Sequence, residues 1–260
     1  DFVGFHGQTI FHNVDEMITK QLGDGNLLSQ LIKRKVIYNF RQNDLKNGGE
    51  GAPLTPIYHK LLVHTLVEKN KIKVPITILN IGGIANITSI NKNYEMKSQD
   101  ISPGNCLIDK WIRVNSNKNI DENGNIAKLG KIDQLILKQA LNDFYNKDIS
   151  KKKSLDINDF DISFAKGLSL ENGAATIIEF TVNILSKKIL ENDIYVCGGG
   201  RKNQFLIDAI QKKINNKIKK IDELGIDGDF IESQAFAYLA IRSYLGLPIS
   251  FPETTGCKEV

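Results

Sequence analysis

A pair of glycines between two apolar segments constrains the fold of this chain more than any other feature. The largely apolar residues 74–79 precede Asn-Ile-Gly-Gly-Ile-Ala-Asn at positions 80–86, and the strand-like Ile-Thr-Ser-Ile at 87–90 follows. Apolar runs interrupted by Gly-Gly are typical of two β-strands joined by a tight turn. Because glycine has no Cβ and readily adopts positive φ, Gly82 and Gly83 also allow backbone N–H groups to approach an anionic oxygen. The pattern predicts either an ordinary hairpin turn or one that holds a phosphate.

An acidic residue follows this predicted hairpin. Asp100 precedes Ile-Ser-Pro-Gly-Asn105, and an amphipathic segment begins at Cys106. We expect residues 95–99 to form a third strand, which would place the carboxylate at the strand end before a turn. A carboxylate there could act as a general base, since it is ionised at neutral pH. An Asx turn or a helix cap is the alternative explanation.

A second glycine cluster follows another apolar run. Residues 194–197 predict a β-strand, three glycines end it, and a helical pattern begins near Phe205. In a strand–turn–helix unit, such glycines let a ligand lie against the backbone. Cys197, directly before them, is expected to be a small buried strand residue.

Polar residues cluster near the start of the chain. The apolar residues 2–5 predict a strand that delivers His6, Gln8 and Thr9 to a loop. Asp24 and Asn26 follow within a polar loop region. Such groups can donate and accept hydrogen bonds.

A second polar group follows the strand-like residues 36–40, where Arg41 and Asp44 could face a cleft. A mutual ion pair at the surface, which contributes little to stability, is the alternative for these two residues.

Composition excludes several classes of protein. The chain has 260 residues, of which 41% are hydrophobic and 25% are charged, enough for a large core. It contains no apolar run long enough to cross a membrane and no basic start followed by an apolar core, so we expect a cytoplasmic protein without a membrane association. The three cysteines and four histidines have no metal-site spacing, so no metal site is expected. The net charge of +4 comes with lysine clusters that lack interleaved arginines or aromatics, which argues against nucleic acid as a partner.

The order of these motifs resembles the anhydro-N-acetylmuramic acid kinase family. The blocks HGQT, LGDGN, FRQND, GGEGAPLTP, NIGGIANIT, DISPGN, VCGGG and ESQAFAYLA follow one another from His6 to Ala240. The resemblance implies an α/β protein with the two-lobed actin-like ATPase (ribonuclease H-like) fold, whose lobes clasp ATP and Mg²⁺. It implies a partial first lobe on the sugar side at residues 1–72. Residues 73–260 would form the second lobe, which carries the nucleotide site and the base.

The resemblance also implies an activity. Such a kinase opens the 1,6-anhydro bond of anhydro-N-acetylmuramic acid with water and phosphorylates O6, giving N-acetylmuramate 6-phosphate for cell-wall recycling. A small amino sugar is thus the expected partner, and a homodimer is possible. Two alternatives stay open, namely another sugar kinase of the same superfamily and an inactive nucleotide-binding fragment.

Carried over by position, Asp100 matches the general base of the family. The resemblance assigns nucleotide contacts to Gly82, Gly83, Asn86, Gly198, Gly199, Gly200 and Glu232. It assigns sugar contacts to His6, Gln8, Thr9, Asp24, Asn26, Arg41, Asp44 and Asn105. For Glu232, a first-turn glutamate favoured by the helix dipole is the alternative explanation.

The chain departs from the family pattern at several positions. Ile101 stands where the family has Thr, Phe11 where it usually has Trp, and residues 155–158 read Leu-Asp-Ile-Asn where Thr-Gly-Arg-Glu is typical. The sequence also begins after the family's first phosphate loop and stops before its last segment, so we expect an incomplete first lobe and an uncertain activity for this length of chain.

Overall fold

Strands and helices alternate in the computed structural model, which describes residues 1–147, 154–189 and 192–258. The strands are β1 Phe2–Phe5, β2 Gln8–Asn13, β3 Ile18–Leu22, β4 Lys35–Tyr38, β5 Ile76–Ile81, β6 Ile84–Ile90, β7 Met96–Pro103, β8 Asp193–Cys197 and β9 Ile218–Lys220. The helices are α1 Gly25–Ile32, α2 Phe40–Lys46, α3 Pro56–Glu68, α4 Cys106–Asn115, α5 Gln134–Asn146, α6 Leu170–Ser186, α7 Gln204–Lys213 and α8 Ile231–Tyr244. The α/β class expected from the sequence is confirmed.

The largest sheet has five strands in the order β7-β6-β5-β8-β9. Strands β5 and β8 are parallel, with Ile76 opposite Asp193 and Asn80 opposite Cys197. Strands β8 and β9 are also parallel. Residues 76–79 of β5 and 194–197 of β8 are buried without interruption, as expected for strands covered on both faces. Cys197 is fully buried at the end of β8, which confirms its expected place.

Helices α4 to α7 supply the apolar residues that cover this sheet. Helix α6 begins at Ser169, whose hydroxyl accepts a hydrogen bond from the Asn172 N–H. Small residues early in α6 allow a close approach, since a Cβ on Gly173 would lie 2.1 Å from the Trp111 ring. The Trp111 indole N–H donates to the carbonyl of Leu170 at 2.9 Å, which satisfies its one polar group.

The chain divides into two compact units. The first unit contains residues 1–75 and 88–99 and the chain from Phe230 onward. The second unit contains residues 76–87 and 100–229. The sequence-based division placed 1–72 in one lobe and 73–260 in the other. The contacts instead group the last helix with the beginning of the chain, because α8 packs against β1. A Cβ on Gly4 would lie 2.2 Å from the Phe236 carbonyl oxygen, so glycine is needed there.

The first unit contains two small sheets. Strands β1 and β4 pair in parallel, and β2 and β3 form an antiparallel pair with an irregularity between Thr9 and Phe11. Its buried apolar cluster comprises Phe40, Leu54, Leu239, Ala240 and Ile249.

Three local expectations for the first unit were wrong. Gln8 and Thr9 lie on strand β2 rather than in a loop, because the chain pairs again directly after β1. Asn26 lies in helix α1 rather than in a loop, because the Asp24 carboxylate caps the first turn of that helix. Phe40 is the first residue of α2 rather than the end of a strand, because Asn39 adopts a positive φ of 62° that breaks the extended chain after Tyr38.

Candidate functional site

Glycine turns meet at one edge of the five-stranded sheet. Because β5 and β8 are parallel neighbours, the turns that follow Ile81 and Cys197 leave the sheet at the same edge. A Cβ on Gly104, which follows β7, would lie 2.3 Å from the Gly82 carbonyl oxygen. The N–H groups of Asn105 and Cys106 donate to the carbonyls of Gly82 and Gly83 at 2.7 and 3.1 Å. The structure thus brings the three glycine-containing motifs of the second unit together.

Two of the predicted nucleotide-binding glycines are required by the fold itself. Gly198 has a φ of 78°, and a Cβ there would lie 2.4 Å from Asn80 Oδ1. A Cβ on Gly200 would lie 2.3 Å from Ile81 Cγ2. Any side chain at either position would displace strand β5, so these glycines have a structural reason that is independent of a ligand.

Gly83 and Gly199 differ from these two. Both are exposed, and the nearest atoms to a Cβ on either glycine are 3.8 Å away, at Ile157 Cγ2 and Asn105 Nδ2 respectively. Gly82 and Gly83 are not among the glycines with positive φ, so the turn does not use that conformational freedom. A Cβ on Gly82 would make only an ordinary 3.4 Å contact with the Ile84 carbonyl oxygen. Neither packing nor backbone conformation requires glycine at positions 83 and 199.

A buried arginine fixes the β8 turn. The Arg201 side chain is 5% exposed and lies among Asp222, Asp227 and Asp229. Its Nε and Nη2 atoms donate to both carboxylate oxygens of Asp222, at 2.8 and 3.1 Å. Its Nη1 donates to the Gly198 carbonyl at 3.0 Å and to Asp229 at 2.7 Å. These bonds join the glycine turn to the segment that contains the aspartates.

The guanidinium also shifts the titration of its partners. Its hydrogen bond to Asp229 lowers the pKa of that carboxyl to about 2, and the bond to Asp222 likewise lowers the pKa of Asp222. Sequence reasoning missed Arg201, although it directly follows the three glycines and three aspartates lie between positions 222 and 229.

Asp100 lies within β7, three residues before the strand ends at Pro103. The expectation that β7 ends at residue 99 was wrong, because the pairing continues to the edge where the glycine turns meet. Asp100 is 8% exposed, and its carboxylate Oδ2 accepts the Leu155 N–H at 2.9 Å. This contact spans 55 residues, so it is neither an Asx turn nor a helix cap.

The segment that contacts Asp100 is the one that departs from the family pattern. Leu155 is buried, and the next residue, Asp156, caps a short turn in which it and Asp159 bond each other's backbone. Ile157 is 54% exposed, and its Cγ2 is the atom nearest to the Cβ position of Gly83. The segment therefore lies beside both the carboxylate and the first glycine turn.

His6 and Arg41 contact each other in the first unit. The Arg41 Nε donates to His6 Nε2 at 2.9 Å, and the His6 Nδ1 lies 2.7 Å from the Gly7 carbonyl. These partners require a neutral imidazole with its proton on Nδ1. Burial and the neighbouring Arg41 charge lower the pKa of His6 to about 4, which agrees with that tautomer.

The remaining sugar-side candidates of the first unit have local partners. Thr9 Oγ1 accepts from Gln21 Nε2 at 3.3 Å, and Gln8 is exposed on the same strand. The Asp24 carboxylate accepts the N–H groups of Asn26 and Leu27 at 2.8 and 3.1 Å. Asp24 and Asn26 are exposed, so capping does not prevent either side chain from meeting a ligand.

Asp44 is 1% exposed and therefore cannot form the surface ion pair with Arg41 that was the alternative explanation. Its carboxylate accepts the Gly51 N–H and the Thr255 hydroxyl, each at 2.6 Å. A Cβ on Gly49 would lie 2.3 Å from the same carboxylate. Asp44 thus connects the GGEGAP segment to the chain near residue 255.

The other predicted residues divide between the units. Glu232 is exposed in the first turn of α8, in the first unit. Asn86, on β6, belongs to the second unit, as does Asn105, whose Nδ2 donates to the Ile81 carbonyl at 3.4 Å.

The residues that the structure describes are 1–147, 154–189 and 192–258. Within them, no group of three His, Cys, Asp or Glu side chains is placed to hold a metal ion. Over the same ranges, no helix has both the length and the apolar character needed to cross a membrane.

The arrangement defines a class of protein. In open α/β sheets, ligands bind at the carboxyl ends of parallel strands, and glycine turns there allow a nucleotide to approach the backbone. The second unit has such turns beside a buried carboxylate, as expected of a nucleotide-dependent α/β enzyme.

The particular family follows from the sequence comparisons. The sequence profile of the anhydro-N-acetylmuramic acid kinase family matches residues 1–260. An anhydro-N-acetylmuramic acid kinase from Pelagibacter ubique is 54% identical over 100% of this chain and 72% of its own length. Its counterpart from Brucella canis is 37% identical over 100% of this chain and 71% of its own length. The chain belongs to the anhydro-N-acetylmuramic acid kinase family.

Solved structures give more distant matches. The activator of 2-hydroxyisocaproyl-CoA dehydratase from Clostridium difficile, with bound ADPNP, has a TM-score of 0.41 and 15% identity over 72% of this chain and 69% of its own. A gluconate kinase from Lactobacillus acidophilus has a TM-score of 0.39 and 16% identity over 68% of this chain and 40% of its own. Both scores are too low to support the assignment further.

Proposed function

We propose that this protein phosphorylates 1,6-anhydro-N-acetylmuramic acid with ATP, while water opens the anhydro bond. The product is N-acetylmuramate 6-phosphate, an intermediate of cell-wall recycling. The observation that carries this proposal is the gathering of the glycine turns and Asp100 in the second unit of a chain that belongs to this kinase family. A cytoplasmic location and a homodimer are parts of the proposal that rest on the sequence alone.

Asp100 is the general base of this proposal. Its carboxylate takes a proton from water as the oxygen of that water bonds to the anomeric carbon. The bond between this carbon and O6 breaks, and O6 then attacks the γ-phosphorus of ATP, releasing ADP. The Leu155 N–H, which bonds Oδ2, fixes the orientation of the carboxylate. General base catalysis by a positioned carboxylate contributes about 10²- to 10⁴-fold to a rate.

The nucleotide contacts follow from the open glycine positions. Gly83 and Gly199 are exposed at the same sheet edge, with no neighbour that requires a glycine. We assign the closest backbone approach of ATP to these two residues, while Gly198 and Gly200 shape the β8 turn. Gly82 remains a proposed nucleotide contact by position in the family. Glu232 remains a proposed nucleotide contact by position in the family, and so does Asn86 through its side-chain N–H donor, Nδ2. Phosphoryl transfer needs positioning and charge neutralisation more than covalent chemistry from the protein.

Mg²⁺ belongs to the proposal as the partner of ATP. Protein sites for this ion commonly supply one or two carboxylates, and phosphates and waters complete the octahedron. Bound together with ATP, Mg²⁺ would neutralise phosphate charge at the glycine turns.

The sugar contacts are assigned mainly to the first unit. His6 is neutral at physiological pH, so it would bind a hydroxyl rather than an anion, and Arg41 could pair with the carboxylate of the lactyl group. Gln8, Thr9, Asp24 and Asn26 would contact further polar groups, as would Asn105 from the second unit. Asp44 would act indirectly, by holding the backbone around Gly51.

Mass spectrometry of the sugar product tests this function. Both the 260-residue chain and a form extended to the length of the relatives are incubated with ATP, Mg²⁺ and the anhydro sugar. We expect a product of the mass of the sugar plus water plus one phosphoryl group. Absence of that product from both forms would overturn the assignment, and a different sugar in a substrate panel would then identify a related kinase.

Asp100→Asn tests the role of the base. This variant should lower kcat by about 10²-fold or more while the Kd for ATP stays within a few-fold of wild type. Asp208→Asn is the matched control, because Asp208 is exposed on α7 and its Oδ1 accepts a hydrogen bond from Gln204, one turn earlier on the same helix. Equal turnover in the Asp100 and Asp208 variants would exclude Asp100 as the base.

A further inference from the structure

Two polar side-chain atoms close to Asp100 are buried without a hydrogen-bond partner. They are Ser154 Oγ and Asn86 Oδ1, within the part of the chain that the structure describes. The Ser154 residue is 7% exposed. Leaving a buried polar group unsatisfied costs about 1–3 kcal/mol, so a functional reason is expected where two occur together.

Asn86 is placed beside Asp100 by the strand register. The Asn91 N–H bonds the Glu95 carbonyl at the turn between β6 and β7, and Thr88 Oγ1 lies 3.4 Å from Ser98 Oγ. An antiparallel pair that satisfies both contacts places Asn86 opposite Asp100. Side chains two residues apart on a strand share a face, so Asn86 and Asp100 lie on the face that Thr88 and Ser98 share.

Ser154 reaches the same place from the chain that covers this face. The peptide N–H of Leu155 donates to Asp100 Oδ2 at 2.9 Å, and Ser154 is joined directly to that nitrogen. The peptide bond that contacts the carboxylate is therefore the one between Ser154 and Leu155. Sequence reasoning named only residues 155–158 as unusual and gave Ser154 no role.

We propose that Ser154 and Asn86 hold the water molecule that Asp100 deprotonates. This inference rests on the proposed kinase function and adds two water-binding residues to it. Asn86 Oδ1 is an acceptor, which suits a hydrogen of water better than a phosphate oxygen. The serine hydroxyl can donate to the water oxygen, which leaves the second hydrogen of the water for Asp100.

The reaction needs no reactant beyond water, the anhydro sugar and ATP, with Asp100 as the proton acceptor. The water oxygen forms a bond to the anomeric carbon, its proton passes to Asp100, and the bond from that carbon to O6 breaks. The electron pair stays on O6, which bonds the γ-phosphorus as ADP leaves. Ser154 and Asn86 keep their protons, so they orient the nucleophile without entering the chemistry.

Ser154→Ala separates this role from a structural one. Removing a hydroxyl that has no partner should leave Tm unchanged or raise it, whereas the loss of an oriented water should lower kcat about 10- to 100-fold. The KM for ATP should not change. Ser116→Ala is the control, since Ser116 Oγ bonds the Ile112 carbonyl at the far end of α4.

Asn86→Leu removes the other unpartnered atom at similar volume. We expect a similar fall in kcat, and a double variant that is no slower than the slower single variant, because both residues act on one water. If wild type is active and both single variants retain its kcat, the water site is wrong while the kinase function stands. If wild type makes no product from the anhydro sugar, the proposed function itself fails.

Discussion

Within one glycine motif, the fold requires glycine at some positions and not at others. In the β8 turn, Gly198 and Gly200 are fixed by a positive φ and by contacts with β5, whereas Gly199 is open. In the β5 turn, Gly83 is open as well. A motif match treats all four glycines alike. At the two open positions, however, neither packing nor backbone conformation explains why the residue is glycine.

Alanine substitutions should separate these two groups. Gly198→Ala and Gly200→Ala should each lower the free energy of unfolding by about 1–3 kcal/mol, through backbone strain or overpacking. Gly83→Ala and Gly199→Ala should change it by less than about 0.5 kcal/mol and yet weaken ATP binding. Urea unfolding and titration calorimetry measure the two effects. Unchanged ATP affinity in both open-site variants would remove them from the nucleotide site.

Buried histidines should make the protein sensitive to acid. His59 is 1% exposed, its Nδ1 lies 2.8 Å from Thr88 Oγ1, and burial lowers its pKa from 6.5 to about 4. The unfolded chain therefore binds a proton between these values that the folded chain does not. Above pH 6.5 this difference does not affect the free energy of unfolding. As the pH drops from 6.5 to 4, proton binding by the unfolded chain lowers the free energy of unfolding by about 3 kcal/mol.

His59→Gln tests this sign and size. Urea unfolding between pH 4 and pH 8 should show a smaller acid loss in the variant than in wild type. Part of the acid loss of unfolding free energy should persist in both proteins, because the pKa of His6 is also lowered to about 4. Identical pH dependence would show that His59 does not titrate as its burial implies.

At the scale of elements, Arg201 ties the turn after β8 to the segment before α8. Its guanidinium is buried, but the three carboxylates around it are 42–56% exposed. Lys202, the next residue, also pairs with Asp229, but its side chain is 61% exposed. Two neighbouring cations thus bind one carboxylate, with very different burial.

Arg201→Ala should therefore cost about 2–3 kcal/mol, somewhat less than a fully buried pair, because hydration can replace the arginine at the carboxylates. Arg201→Lys should not restore the loss, since lysine lacks the fork that holds Asp222 and Gly198 together. Lys202→Ala should cost less than about 1 kcal/mol. Similar unfolding free energies and similar KM values for ATP in the Arg201 and Lys202 variants would contradict this role.

At the scale of the whole molecule, apolar burial is unequal between the two units. The second unit contains the large cluster that includes Ile177, Ile184 and Val196, all at most 1% exposed. The hairpin β2–β3 of the first unit instead has Ile10 54% and Phe11 42% exposed. Few buried apolar contacts imply a low free energy of local opening.

Hydrogen exchange should reveal this difference. Backbone amides of β8 and α6 should exchange at least about tenfold more slowly than those of β2 and β3, after correction for intrinsic rates. Mass spectrometry of peptides from the native protein measures both. Equal protection in the two sets would show that the hairpin opens only with the whole fold.

Local patterns in the sequence determined the strands β5, β6 and β8, the helix α7 and the order of the glycine turns, because apolar periodicity and glycine act over a few residues. The resemblance of eight motifs also identified the family, which the comparisons confirmed. Tertiary structure alone decided that Asp44 is buried, that Gly83 and Gly199 are open, and that Leu155 bonds Asp100. These outcomes depend on partners tens or hundreds of residues away, which only the packed chain brings into contact.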